Sequence, residues 1–400
     1  MRGASGREAR VTFDFDVAIV GGGPAGTSTA LHLVRREGIA AERVILLERA
    51  KHPRDKPCAG AVSSWGLDAL ESIGVSLTVP HVPMRGLRVF AGNACGAHVA
   101  RLGVVIRRAE FDASLWKSAS DEGVVARDRA AVTGLERMPG GWKVVTSTQT
   151  LTARLLAACD GSGSVVRKVL GHREPARKGH LYVAETPASA GDELTREGLC
   201  NFDLRVADDG IDGYYWDFPT LVEGKPAVNR GIYHANLHPR SDLKATFARA
   251  LSQRGVDIDR VRIKAFSTRP LVRGTRFAFD RLALVGEAAG IDRVTGEGIA
   301  QAILTGALAS KHLAGALRTG VASLDGYHHE VMRARVGRHL RQSAWLAERV
   351  YGSRGALWRE LFAREPLARE LGARWYTGAH LAWTEKARLG AKLALSLAWQ

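Results

Sequence analysis

The chain has 400 residues, 46% of them apolar and 24% charged, which is the length of two or three domains and the balance of a globular protein rather than a disordered or fibrous one. Lys and Arg outnumber Asp and Glu 57 to 41, and the resulting charge of +16 favours any anionic partner without specifying one. Four cysteines (Cys58, Cys95, Cys159, Cys200) are too few for a disulfide scaffold of this size, and no CxxC pair or HExxH run occurs, so no metal is expected.

The charged and polar residues 1–13 carry no secretory pattern, and no apolar run reaches the length of a membrane span; the expectation is a cytoplasmic protein. Residues 16–20 (DVAIV) predict a short buried strand. Gly21-Gly22-Gly23-Pro24-Ala25-Gly26 predicts a turn, and Ala30, Leu31, Leu33 and Val34 mark the helix after it. A second strand covers 43–47 and closes on Glu48. A loop over 49–63 contains Lys56-Pro57-Cys58-Ala59-Gly60, and a helix is expected over 64–73. Strands at 84–90 and 97–102 read as an inserted sheet. A helix over 111–121 follows, then a hairpin at 130–147 turned by Pro139-Gly140-Gly141, then a strand ending at Cys159-Asp160-Gly161. Between 171 and 270 short β runs recur (181–184, 214–218, 227–233, 261–266) around one helix at 242–254. Residues 281–285 read as another buried strand, 298–317 as a helix, and everything after 320 as helical. Residues 331–400 hold thirteen Lys or Arg against five Glu, which is half of the net charge.

Gly21-x-Gly23-x-x-Gly26 follows a strand, opens a helix, and precedes Glu48 at a second strand end. That context is the dinucleotide fingerprint: a tight turn at Gly21, close approach of a pyrophosphate at Gly23, close helix–strand packing at Gly26, and an acid for ribose hydroxyls. Farther on, Gly286-Glu287 ends a strand and Thr295-Gly296-Glu297-Gly298-Ile299 opens a helix. A carboxylate suits a polyol and a bare helix N-terminus suits an electron-rich oxygen, both of which a flavin offers. Cys159-Asp160-Gly161 is by itself an ordinary turn.

Together these residues resemble the FAD-dependent oxidoreductases of the p-hydroxybenzoate-hydroxylase-like fold, and within them the geranylgeranyl reductase family, over residues 14–310. Lys56-Pro57-Cys58-Ala59-Gly60 resembles that family's Pro-Cys-Gly-Gly loop. Arg108-x-x-Phe111-Asp112-x-x-Leu115 resembles its Arg-x-x-Phe-Asp segment. Tyr214-x-Trp216-x-Phe218-Pro219 resembles its YxWxFP motif, and residues 295–299 its TGEGI. Four positions depart from the pattern: Ala59 for glycine, Glu287 for aspartate, Gly231-Ile232-Tyr233 for GxG, and Arg293 for proline. The tryptophan-rich WxWxIP motif of flavin halogenases does not occur.

The resemblance implies an α/β fold in which a Rossmann-type FAD-binding domain (12–80, 103–170 and 271–320) is interleaved with a β-rich substrate domain (81–102 and 171–270) and followed by a C-terminal helical region (321–400). It places FAD against Gly21, Gly23, Ala25, Gly26, Glu48, Arg49, Cys58, Ala59, Ala61, Arg108, Val132, Asp160, Gly161, Gly286, Glu287, Gly296, Gly298 and Ile299. Tyr214, Trp216, Phe218 and Pro219 become a substrate wall, against the alternative of an ordinary packed sheet face. Arg293 becomes either a partner for negative charge in the site or a surface arginine. The implied reaction delivers a hydride from reduced flavin to one carbon of a prenyl double bond and a proton to the other. Cys58, a tyrosine or water are the open choices for the proton. NAD(P)H or a ferredoxin-like carrier would be the reductant. The alternative on this scaffold is a flavin monooxygenase or dehydrogenase of secondary metabolism. The expected partners are a lipid or prenyl substrate and, through the basic aromatic C-terminal region, a membrane surface; nucleic acid is not expected. His328 and His329 are adjacent and so diverge on a helix, without ligand spacing.

Overall fold

The computed structural model describes residues 12–172, 178–189, 197–236 and 242–398, with side chains through residue 392. Residues 1–11 and the stretches 173–177, 190–196 and 237–241 of the expected substrate domain lie outside the described residues.

The first sheet grows around β1 (Phe15–Val20), whose last four residues are fully enclosed. Strands β2 (Val44–Leu47) and β9 (Thr150–Ala158) flank it in parallel, with Ile19 opposite Leu46 on one side and Ala157 on the other. β6 (Val125–Arg127) extends the sheet beyond β2, and β16 (Leu282–Leu284), with β15 (Ala278–Phe279) at its edge, extends it beyond β9. These strands read as unbroken apolar runs because parallel strands are covered on both faces. Helices α1 (Pro24–Arg35), α3 (Arg108–Asp121) and α6 (Ile299–Thr319) supply cover, with α1 packed on both of the others. The hairpin of β7 (Val132–Met138) and β8 (Gly141–Thr146) pairs onto β9, and the short α4 (Val165–Val169) follows it.

The second sheet has the order β14 (Lys264–Thr268), β10 (Gly179–Pro187), β13 (Lys225–His234), β12 (Gly213–Val222), β11 (Leu199–Asp203), β4 (His81–Ala91), β5 (Ala94–Ile106), β3 (Ala61–Ser63). Alternation along β12 sends Tyr214, Trp216 and Phe218 into one cluster and Tyr215 into another beneath α5 (Leu243–Ser252). The domain boundaries deduced from sequence need adjustment here. β3 belongs to this sheet although it lies within 12–80, and β5 runs unbroken through residue 103, because Ala61 and Val62 pair with Val105 and Val104. β3 leads straight into α2 (Ser64–Glu71).

The helical region after residue 320 divides between the two sheets. α7 (Asp325–Arg333) docks on the first, its Tyr327 hydroxyl donating to the Leu284 carbonyl at 3.0 Å. α8 (Arg335–Val350) crosses over. α9 (Gly355–Arg364) and α10 (Pro366–Tyr376) pack on β5, and α11 (Trp383–Ala398) lies outermost. Arg369 locks α10 down by donating to the Ala97 carbonyl at 3.0 Å, in space that exists because residue 96 is glycine.

Candidate functional site

The chain leaves β1 through Gly21 at φ +109°, where a Cβ would lie 2.4 Å from the Cys159 carbonyl oxygen. A Cβ at Gly26 would lie 1.9 Å from the Gly21 carbonyl oxygen, so this glycine sets how closely α1 approaches the turn. A Cβ at Gly23 would meet no backbone, only the guanidinium ends of Arg54 at 3.0 Å and Arg108 at 4.0 Å. It caps α1 with no side-chain hydrogen bond, Pro24 follows, and the first turn holds no acid, so the helix N-terminus is electrostatically free for an anion. Ala25 is buried beneath the turn. Glu48, also buried, accepts from the Gly22 N–H at 2.9 Å and the Ala50 N–H at 3.0 Å.

Arg54 reaches down from the 49–60 loop to Glu48 at 3.3 Å and Asp112 at 3.1 Å. Arg108 holds Asp112 through two hydrogen bonds of 2.7 Å each. Burial works to raise the Asp112 pKa, but the Arg108 guanidinium overrides it and holds the carboxyl below its usual range. The pair sits four residues apart on α3, the spacing that brings two side chains together on one helix face.

The turns after β9 and β16 meet beside this loop. Asp160 accepts from the Val166 N–H at 3.1 Å through one oxygen, while its other oxygen is buried without a partner and burial pushes its pKa up. Glu287 accepts from the Arg269 N–H and the Lys56 ammonium, each at 3.2 Å. A Cβ on Gly161 would stand 3.9 Å from Glu287, and Gly286 at φ +60° tucks against Ala25 and Ala302.

Beyond it, the 292–298 loop is held by three tyrosines. Tyr214 donates to the Thr295 carbonyl at 2.6 Å, Tyr351 to the Val294 carbonyl at 2.7 Å, and Tyr233 to the Arg293 carbonyl at 3.1 Å. Asp292 anchors the loop from within, accepting from the Thr295 hydroxyl, the Val294 N–H and Ser343. Gly296 turns at φ +68°, and Gly298, which caps α6, has no side chain to bond the first turn. Glu297 is buried there and accepts from the Ala300 N–H at 2.9 Å; burial pushes its pKa up to about 8.

These residues fit FAD. The bare start of α1, with the Arg54 and Arg108 guanidinium groups beside Gly23, suits a pyrophosphate. Glu48 and Glu287 suit ribose and ribityl hydroxyls, and the unpartnered oxygen of Asp160 awaits a donor.

Against the far side of the 292–298 loop lies an apolar cavity of about 560 Å³. Its floor is the second sheet (Met84, Val89, Phe202, Tyr214) and its roof is α8 to α11 (Trp345, Trp358, Trp375, Trp383). Val294 and Thr295 of the 292–298 loop also line it.

The residues deduced from sequence fall into three groups. Gly21, Gly23, Ala25, Gly26, Glu48, Arg108, Asp160, Gly161, Gly286, Glu287, Gly296, Gly298 and Ile299 converge as described. Cys58 and Ala59 are half-buried in the 49–60 loop, the Cys58 thiol accepting from the Gly60 N–H at 3.4 Å. Ala61 opens β3, Arg49 is exposed just past Glu48, and Val132 opens β7 with its side chain in the core.

Corrections concern the substrate wall. Of the four residues of the aromatic motif only Tyr214 lines the cavity. Trp216 and Phe218 lie on the same face but are covered by packing, Phe218 edge-on to Phe202 at 5.1 Å. Pro219 alternates away from them and sits opposite Val228 in the ladder. Arg293 is neither at the cavity nor on the open surface: its guanidinium is turned to α8, 4.0 Å from Glu348. Cys159 and Cys200 are buried, whereas Cys95 is exposed. Among the described residues no group of His, Cys, Asp and Glu is arranged to hold a metal ion, and no helix is long and apolar enough to cross a membrane.

Sequence reasoning missed Arg54, Asn229, Tyr376 and the tryptophans of the roof. Asn229 donates to the Cys58 carbonyl at 3.0 Å from a strand that carried no motif. Tyr376 lines the cavity with its hydroxyl buried and unpartnered. The aromatic content of the basic tail was visible, but not the surface it covers.

Residues 14–192 match the FAD-binding domain family. Over 327 residues the chain is 29% identical to a menaquinone reductase of Mycobacterium tuberculosis, covering 74% of this chain and 76% of that one. It is 24% identical over 347 residues to digeranylgeranylglycerophospholipid reductase 1 of Methanothermobacter thermautotrophicus, covering 81% and 83%. The fold matches a geranylgeranyl bacteriochlorophyll reductase-like protein of Thermoplasma acidophilum with a TM-score of 0.72 at 20% identity, covering 90% and 95%.

Proposed function

We propose that this chain, an FAD-dependent oxidoreductase by its fold and its FAD-binding domain, reduces carbon–carbon double bonds of a prenyl chain. The observation that carries the reading is the cavity of about 560 Å³, apolar in its lining and bordered by the loop that opens α6. A long unfunctionalised hydrocarbon is the ligand such a lining selects, since nearly every wall atom is carbon and few polar groups fix orientation. Two relatives whose names specify reductases of prenylated compounds support the same class.

Bound FAD, once reduced, supplies the hydride. The chain's own residues do the rest. The tyrosine-held 292–298 loop borders the cavity, and the apolar walls exclude water, so a weakly electrophilic alkene is presented by position rather than by activation. The proton for the second carbon comes from Tyr376. Tyr214, Tyr233 and Tyr351 already spend their hydroxyl hydrogens on backbone carbonyls, whereas Tyr376, which lines the cavity, has a buried hydroxyl with no acceptor. Burial, and then the charge of Glu297, raise its pKa well above the usual phenol, so it carries its proton at neutral pH. NAD(P)H or a ferredoxin-like donor delivers two electrons, and protons not carried by that donor come from solvent, which balances the saturation of one double bond.

The test is an anaerobic spectrum of the purified protein. The expected protein is yellow and bleaches on reduction. It then regains absorbance near about 450 nm, the region of oxidised flavin, when geranylgeranyl diphosphate is added without air. Recovery only on admitting oxygen, with an oxygenated product, would replace this reading with the monooxygenase one.

A further inference from the structure

We infer that the mouth of the apolar cavity is a docking surface for an anionic lipid bilayer, from which the substrate's hydrocarbon chain enters directly. The route of entry rests on the prenyl reading above; the docking does not.

Trp345 and Trp383, 51% and 79% exposed, are the two exposed tryptophans among the described residues, and both line this one cavity. Large aromatic side chains standing in solvent are uncommon unless a partner covers them. Trp345 is part of a built arrangement: Trp358 meets it edge-on at 6.0 Å and the Arg349 guanidinium lies 3.5 Å from its ring centre.

The same helix carries the charge. α8 buries Val336, Leu340, Ser343, Ala347 and Val350, while Arg338, Arg341 and Trp345 recur at helical spacing on the exposed side. On α11, Lys386 and Arg388 are exposed beside Trp383. Residues 331–400 contribute half of the chain's net charge.

Charge by itself would attract any polyanion. What selects a bilayer is the combination on the two helices: exposed cations beside exposed tryptophans that themselves line an apolar cavity. A membrane presents anionic headgroups, then an interfacial zone that tryptophan prefers, then hydrocarbon. Nucleic acid offers the first layer without the other two.

The test uses the whole flavin-loaded protein and no substrate, so it stands or falls apart from the reaction. Vesicles of phosphatidylcholine alone and with one-third phosphatidylglycerol are compared in about 0.15 M salt, a physiological ionic strength. Part of the lipid carries bromine in its acyl chains to quench tryptophan fluorescence. The expected result is sedimentation with the anionic vesicles, at least about ten-fold weakened by the double charge reversal Arg338→Glu/Arg341→Glu. Quenching should accompany binding and be lost in Trp345→Phe/Trp383→Phe, with flavin content confirming that the variants are folded. Failure to sediment with anionic vesicles would overturn the inference. So would binding that is indifferent to the charge reversal, or quenching that persists in the double tryptophan variant.

Discussion

Trp216 is joined to the Cys58 backbone by one intervening side chain. Its indole N–H donates to Asn229 Oδ1 at 2.9 Å, and Asn229 Nδ2 donates to the Cys58 carbonyl at 3.0 Å. The ring has room because the residue opposite it in the ladder is Gly231, where a Cβ would lie 2.1 Å from the indole. The middle residue of the aromatic motif therefore acts on the 49–60 loop and not on the cavity. Asn229→Leu leaves both groups without partners in a buried setting and should cost about 2–4 kcal/mol, about 1–3 for each unsatisfied group before partial relaxation. Urea unfolding reads that loss, and equilibrium titration with FAD should show weaker binding as the loop loosens. A variant as stable and as tight as the parent would show the bridge to be incidental.

The glycines of the first turn separate by what surrounds them. Gly26→Ala drives a methyl into the Gly21 carbonyl, which cannot move without displacing α1, and such severe overpacking should cost about 3 kcal/mol or more. Gly23→Ala meets only the guanidinium ends of Arg54 and Arg108, so the chain should fold normally and lose FAD affinity by about 10- to 100-fold, the effect of roughly 1.4–2.8 kcal/mol. Melting temperature of the apoprotein and FAD titration distinguish the two.

Glu297 gives stability a pH dependence of unusual sign. Its folded pKa, pushed up to about 8 by burial, lies above the ordinary value of 4.5. Between those values the folded protein retains a proton that the unfolded chain releases, so stability falls as pH rises from about 4.5 to about 8. Glu297→Gln removes that penalty. The variant should match the parent near pH 4 and exceed it above pH 8 by roughly 3–5 kcal/mol, at about 1.4 kcal/mol for each pH unit between the two values. Parallel stability profiles of parent and variant across that range would refute the assignment.

Tyr376→Phe deletes one oxygen that bonds to nothing in the protein, so the fold should be unaffected. Bleaching by the reductant should keep its rate. Anaerobic recovery of the oxidised spectrum on adding geranylgeranyl diphosphate should slow by about 10²-fold or more, the usual worth of a positioned proton donor. If Cys58→Ala slows that step while Tyr376→Phe does not, the thiol is the donor.

The parts of this protein that were legible in sequence are those whose chemistry is local. The glycine turn and the acid at the end of β2 are each set by a handful of consecutive residues, because turn sterics act over short range. The buried apolar strands were legible for the same reason. What only the tertiary structure decided is which side chain meets which across the chain. Alternation put Tyr214, Trp216 and Phe218 on one face but could not say that packing against Phe202 and Gly231 would enclose two and leave one at the cavity. Nor could it turn Arg293 toward Glu348, or leave the Tyr376 hydroxyl buried without an acceptor. Those outcomes depend on side chains brought together by packing from positions far apart in the chain, and no local pattern encodes the partner.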